Sequence, residues 1–353
     1  MTERKPIFYD EERRRWRRTR RVLEISGALL TLSLLLFFFN VVIANLALPA
    51  LLPAYHSQLH AIRSRTPAKP RVIRPGRKRR VAALGTVPDH YDPLRAAFYV
   101  PWDSRSLASL EQHYHDIDLL IPEALHAVSP DGRLDVEPDP KLTKWLQSLP
   151  STTDLPIMPL LNNYDGKNWR IPEMAAMLAH ADARQKLAAA VVALVTSQKQ
   201  SGVALDFEEI PDASQANFRR FVKELGVAVH AANLKLMVAL PAANASFDYT
   251  NIAAQADAII LMNYDQHWQT SPPGPIAAQD WYLRNLQAML RMVPAAKIVM
   301  GIANYVYDWP AKSRAVPHPL AAEFSFQEAI VHAVESEAEV EFDADSLNPN
   351  YSY

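Results

Sequence analysis

Residues 201–209 read Ser201-Gly202-Val203-Ala204-Leu205-Asp206-Phe207-Glu208-Glu209, an apolar run that turns acidic at its end. Successive side chains of a strand point to opposite faces, so Ala204, Asp206 and Glu208 share one face while Leu205 and Phe207 pack outward on helices. Two carboxylates side by side repel, which raises the pKa of one and leaves the other ionised. Such a pair supplies a proton donor and a charged stabiliser. The same pattern also occurs as a salt-bridged strand end, so the chemistry needs support from the rest of the chain.

That support begins with rhythm. Short apolar runs at 96–100, 117–122, 155–161, 202–207, 236–240, 258–262 and 298–303 alternate with amphipathic stretches such as 183–198, 215–232 and 281–293. Seven strands separated by helices long enough for right-handed crossovers predict parallel β/α units, α/β in class. Polar and aromatic residues follow the strand ends: Trp102-Asp103, Glu123, Asn162-Asn163-Tyr164, Asp206 to Glu209, Tyr264-Asp265 and Asn304-Tyr305. In a parallel barrel those ends form one face, which carries the chemistry. A doubly wound open sheet is the rival fold, but no glycine-rich phosphate loop follows the first strand. After Trp309 a helix is expected at 324–337 and then a polar segment, with no further apolar strand, so the reading is a (β/α)8 TIM-type barrel truncated before strand 8. Residues 340–342 are the one other segment that could close the sheet.

The segment 201–208 resembles the fourth-strand signature D-G-x-D-x-D-x-E of family 18 glycoside hydrolases, the chitinase family. Gly202, Asp206 and Glu208 fall on its Gly, last Asp and Glu, whereas Ser201 and Ala204 replace the first two Asp residues. Leu261-Met262-Asn263-Tyr264-Asp265 is similar to the family's sixth-strand M-x-Y-D, residues 297–309 (KIVMGIANYVYDW) to its seventh strand, and Phe98-Tyr99-Val100 to its first. The resemblance runs from about Arg95 to Tyr353. It extends to the amino-terminal part of bacterial multidomain proteins that join such a barrel to a polysaccharide deacetylase and a family 2 glycosyltransferase, possible partner domains absent from this chain.

The resemblance implies substrate-assisted hydrolysis of polysaccharide containing N-acetylglucosamine, an exception to the two-carboxylate retaining scheme. Glu208 would protonate the departing glycosidic oxygen while the sugar's own acetamido carbonyl attacks the anomeric carbon. Asp206 would orient and stabilise the resulting oxazolinium, Tyr264 would hydrogen-bond the acetamido oxygen, and Asp265 would hold the sugar or tune Glu208. Asn162 and the aromatic residues Trp102, Trp268 and Trp309 are the expected substrate-binding set, with ring faces on which sugars stack. No metal or organic cofactor is required. The spacing of His113 and His115 suggests a metal site, but without a third ligand they read as a surface pair. In the family the resemblance points to, an Asp at the position of Ala204 exchanges a proton with the next Asp; with alanine there, Asp206 must be held by other neighbours, or the site is slower or dead.

Charge divides the 353 residues in two. Residues 1–94 carry 18 Lys and Arg against 7 Asp and Glu, and the remainder carries 19 against 31. An acidic body excludes nucleic acid as a partner, since phosphate contacts dominate that affinity. With no cysteine there is no disulfide, thiolate metal site or cysteine nucleophile. Residues 25–62 contain no charged Asp, Glu, Lys or Arg, and 25–48 are almost continuously apolar, long enough for a helix to span a bilayer. A cleaved signal peptide is the rival, with small residues at Ala44 to Ala47, but signal apolar cores run only about 7–15 residues. Nine Lys and Arg lie in residues 1–21. The expected organisation is a basic cytoplasmic tail (1–21), a transmembrane helix (22–48), a Pro/Arg-rich linker (49–94) and an extracytoplasmic barrel (95–353), a single-pass protein of the bacterial inner membrane. Two functions follow: a membrane-tethered glycosidase, or a carbohydrate-binding module that kept the groove without turnover.

Overall fold

The computed structural model describes residues 93–310 except Thr152, residues 320–353, and Thr31, which is helical. The chain divides into units Met1–Asp89 and His90–Tyr353. The expected basic tail and, apart from Thr31, Pro93 and Leu94, the expected membrane helix and linker lie outside the described residues. Among the described residues no helix is long and apolar enough to cross a membrane.

The second unit is an α/β fold built on a curled parallel sheet. Its strands are β1 (Ala96–Tyr99), β2 (Leu119–His126), β3 (Asp135–Val136), β4 (Leu160–Asn162), β5 (Gly202–Asp206), β6 (Lys235–Pro241), β7 (Ala258–Met262) and β8 (Ile298–Met300). Seven of them pair in parallel in chain order, while β3 is an antiparallel addition to β2. All seven expected strands are present. The third is trimmed to three residues because Pro156 and Pro159 cannot donate to a ladder, leaving Ile157 as an isolated bridge to Leu120.

Helices α1 (Ser104–His113), α2 (Pro140–Ser148), α3 (Ile171–Ala179), α4 (Ala181–Ser197), α5 (Gln215–Ala231), α6 (Tyr249–Gln255) and α7 (Gln279–Met289) cross between strands. Their starts are encoded locally: Asp139 accepts from the Lys141 and Leu142 amides and Pro140 supplies the first helical residue of α2. In α5 the spacing of Phe218, Phe221, Val222, Leu225 and Val229 puts one stripe against the sheet. Phe207 meets that stripe, its ring stacked on Phe221 at 5.6 Å. Each fully buried Phe contributes about 1.5–3 kcal/mol.

The alternation expected from Ala204 to Phe207 holds, while β5 ends at Asp206, before Glu208. Leu205 and Phe207 belong to the layer between strands and helices. Ala204 belongs to a separate interior cluster with Leu160, Met237, Ala239 and Ile260. Gly202 is required by the close approach of β6, since a Cβ there would stand 2.0 Å from the Lys235 carbonyl oxygen.

The sheet does not close. Among the described residues β1 pairs only with β2 and β8 only with β7, so the structure is a curled half-barrel, consistent with a barrel truncated before strand 8. The chain continues as an antiparallel hairpin of β9 (Tyr305–Asp308) and β10 (Ala322–Ser325), then α8 (Phe326–Glu335). The expected helix starts two residues late because Ser325 and Glu328 form a reciprocal capping box that fixes its first turn. The segment around 340–342 does not serve as a barrel strand: β11 (Glu341–Phe342) pairs antiparallel with β12 (Pro349–Asn350).

Candidate active site

Asp206 is the last residue of β5, above the apolar interior that contains Ala204. Its Oδ1 is buried and has no hydrogen-bond partner. Burial, then the charges of Glu208 and Glu123, push its pKa up from 3.8 to about 8. The Glu208 carboxyl is also raised, first by burial and then by Glu209 and Asp265. Tyr264, after the end of β7, has its hydroxyl pushed well above the ordinary phenol value by burial and by the charges of Asp206, Glu208 and Asp265. The three residues expected to be catalytic therefore occupy one electrostatic neighbourhood, although they come from strands far apart in sequence. Both carboxyls are shifted upward, and no cation lies among the causes acting on either.

The backbone is bent to place them. Glu209 and Asp265 have φ of 53° and 60°, left-handed conformations directly after Glu208 and Tyr264. Non-glycine residues held there cost about 1–3 kcal/mol and are retained where surrounding structure enforces them. Gly301 leaves room for the phenol, since a Cβ there would lie 3.0 Å from the Tyr264 ring. Asn163, fully buried, bonds both main-chain polar groups of Glu208.

Asp265 is turned toward β9. Its Oδ1 accepts from the Tyr305 hydroxyl at 2.6 Å and the Tyr307 hydroxyl at 3.3 Å. The rings of Tyr264, Tyr305, Tyr307 and Trp309 continue edge-on, with successive centroids 6.1, 5.5 and 5.7 Å apart. Glu323 of β10 stands opposite Tyr307 in register, and its carboxyl is raised by burial and by Asp265.

A cavity of about 1670 Å³ opens on the strand ends, with Trp102, Glu123, Asn162, Asp206, Tyr264 and Tyr305 among its lining residues. Trp102 and Asn162, both expected in the groove, meet on Glu123: the indole donates to Oε2 at 3.1 Å and the Asn162 amide to Oε1 at 2.9 Å. Asp265, Trp268 and Trp309, expected to bind substrate, and Glu208 are not among the lining residues. The Trp268 and Trp309 indole N–H groups are taken within the loop and its neighbour, by Thr270 Oγ1 at 2.7 Å and the Ser271 carbonyl at 3.1 Å. His113 faces Asp116 at 3.3 Å and His115 packs on Tyr114. No cluster able to hold a metal ion occurs among the described residues.

Glu123, Asn163, Tyr305, Tyr307 and Glu323 complete the site beyond the residues expected from sequence. Glu123, Asn163 and Tyr305 stood among the polar strand ends, which was the available signal. Glu323 carried none.

Residues 151–351 match the glycosyl hydrolases family 18. Among curated relatives, the cortical fragment-lytic enzyme of Bacillus subtilis is 24% identical over 223 residues, covering 61% of this chain and 51% of that protein. The uncharacterized glycosylase YvbX of Bacillus subtilis is 28% identical over 145 residues, covering 38% of this chain and 42% of its own length. The chain thus spans about half the length, or less, of the curated relatives it matches. A chitinase from Chromobacterium violaceum superposes with a TM-score of 0.65 at 25% identity, covering 74% of this chain and 82% of that one. The family match takes in β4 to β12 and, with them, Asp206, Glu208, Tyr264 and Asp265, more than half of the chain, so the chain belongs to glycosyl hydrolases family 18.

Proposed function

We propose that this chain is a glycosidase acting on polysaccharide that contains N-acetylglucosamine, by a substrate-assisted retaining mechanism. The observation that carries the reading is the convergence of Asp206, Glu208 and Tyr264 at one end of the parallel sheet, each with its acidity lowered by burial and by neighbouring carboxyls. A carboxyl kept protonated is a competent general acid, and Glu208 would give its proton to the leaving oxygen. The acetamido carbonyl of the bound sugar then attacks the anomeric carbon. Positive charge developing on the oxazolinium favours the ionised form of Asp206, which would release its proton to solvent and then stabilise that charge, offsetting the burial and the neighbouring carboxylates that raise its pKa. The Tyr264 hydroxyl stays protonated and available to the acetamido oxygen. Asp265, already bonded by two phenols, would act by positioning them and by raising Glu208.

The apolar segment 25–48 and its basic flank support a further part of the proposal, that the domain is tethered to the bacterial inner membrane and faces outward. Release of sugar from N-acetylglucosamine oligomers by the full chain, lost in Glu208→Gln, tests the catalytic reading. A second reading, a binding module without turnover, is favoured by Ala204 beneath Asp206 and by the open sheet edge. Tight oligomer binding with no product from the unmodified chain would establish it.

A further inference from the structure

Resting on the glycosidase reading, we propose that Glu123 is a positioning residue that acts through Asp206, a fixed carboxylate in the cavity wall that governs when Asp206 ionises. The strand register carries the argument. Glu123 of β2 pairs with Leu160 of β4, and Leu160 pairs with Ala204 of β5, so Glu123 stands in the row of Ala204, one inward-facing position before Asp206. Leu119 and Ile121, which precede Glu123 at the strand period of two, share the interior cluster of Leu160 and Ala204. The Glu123 side chain therefore leaves β2 toward the same interior as Asp206 leaves β5. Both residues line the one cavity at the strand ends.

Glu123 is held in place through both oxygens. Oε2 accepts from the Trp102 indole at 3.1 Å and Oε1 from the Asn162 amide at 2.9 Å, neutral donors that leave the carboxylate charge uncancelled. The orientation of that amide is settled by its other edge, where Oδ1 accepts from the Tyr164 main-chain N–H at 3.2 Å and faces His126 Nδ1 at 2.7 Å. A main-chain N–H only donates, so Nδ2 is left for Glu123. Asn162 is itself the register partner of Asp206, so the residue that fixes Glu123 is Asp206's neighbour on the next strand. Asp206 has no such anchor: its Oδ1 is buried without a hydrogen-bond partner, and Ala204 before it on the same face brings no polar side-chain atom. Charge, not hydrogen bonding, then decides its protonation. Glu208 follows it in the chain, Tyr264 faces it from the end of β7, Glu123 acts from β2, and β4 contributes the neutral Asn162. His126 lies behind Asn162 and is engaged by Glu137 at 3.3 Å. Glu208, by contrast, is acted on by Glu209 and Asp265. Glu123 thus bears on one carboxyl of the pair: it keeps Asp206 neutral in the empty site, until the positive charge of the oxazolinium favours ionisation.

The test compares melting temperature against pH for the full chain and for Glu123→Gln, which keeps the side chain's shape and removes its charge. The stability that a protonated Asp206 contributes is lost as pH rises through its folded pKa, about 8 in the unmodified chain. A unit charge two strands away, about 9–10 Å at ordinary strand spacing, moves a carboxyl by roughly one pH unit. In Glu123→Gln the loss should therefore be complete roughly one pH unit lower, and the difference should vanish when both chains also carry Asp206→Asn. The pH profile for cleavage of N-acetylglucosamine oligomers should move in the same direction. Trp102→Phe, which removes one bond to Glu123 and keeps its charge, should move both profiles less. No shift, a shift that persists with Asp206→Asn, or an equal shift in Trp102→Phe would overturn the proposal and leave the glycosidase reading intact. No cleavage by the unmodified chain at any pH would overturn that reading and the role of Glu123 in turnover with it.

Discussion

Asn163 grips the main chain of Glu208 from both sides: its Oδ1 accepts from the Glu208 amide at 2.9 Å and its Nδ2 donates to the Glu208 carbonyl at 3.2 Å. A single buried side chain thereby fixes the residue that would protonate the leaving group. Replacing Asn163 by Ala strands both groups, each at a cost of about 1–3 kcal/mol. Asn163→Ala should lower the thermal midpoint and, in protein that remains folded, reduce turnover more than it weakens oligomer binding. An unchanged ratio of turnover to binding would make Asn163 a purely structural residue.

Glu208→Gln keeps the shape of the side chain and removes its proton. General acid catalysis is worth about 10²–10⁴-fold, so turnover of N-acetylglucosamine oligomers should fall by that order while affinity changes little. Equal activity of the variant would take Glu208 out of the mechanism.

Asp206 makes stability depend on pH. Its folded pKa of about 8 lies above the ordinary 3.8. Between those values the folded state holds a proton that the unfolded chain has released, so stability declines as pH rises through the window. The contribution is complete below the lower value and lost above the upper one. Asp206→Asn cannot ionise, so its melting temperature should exceed that of the parent at pH above about 8 and draw level or fall below it near pH 4. Parallel melting curves for the two proteins across that range would show that Asp206 titrates normally.

The two sheet edges that are unpaired among the described residues should be adhesive. Phe98 on β1 is 46% exposed and Ile302, just past β8, is 83% exposed. Exposed edges with apolar residues pair with other chains. Self-association measured by sedimentation should rise with concentration and drop in Phe98→Lys. An unchanged association constant would place the contact elsewhere.

Topology is testable separately. If the basic flank stays in the cytoplasm, a reporter that works only outside it should be active when fused after Tyr353. Activity of a cytoplasm-only reporter at that position would reverse the orientation and with it access to exported polysaccharide.

The alternation of Leu205 and Phe207 against Ala204 was readable from sequence, because a strand's period of two is local and the helix layer repeats it in Phe218 and Phe221. For the same reason the order of the seven parallel strands could be read from runs and crossovers, and Tyr264 with Asp265 from the end of such a run. The contacts that shape the site could not. Trp102 reaches Glu123 across 21 residues, Asn162 reaches it across 39, Asn163 reaches Glu208 across 45 and Tyr305 reaches Asp265 across 40. Each pairing exists only when neighbouring strands and the β9 hairpin bring distant residues to one face, and no local pattern records it. Local sequence thus set the pattern that brings Asp206 to the end of β5; the tertiary structure alone decided that Asp206 and Glu208 are desolvated with no cation among the causes acting on them, and so that both hold their protons more tightly.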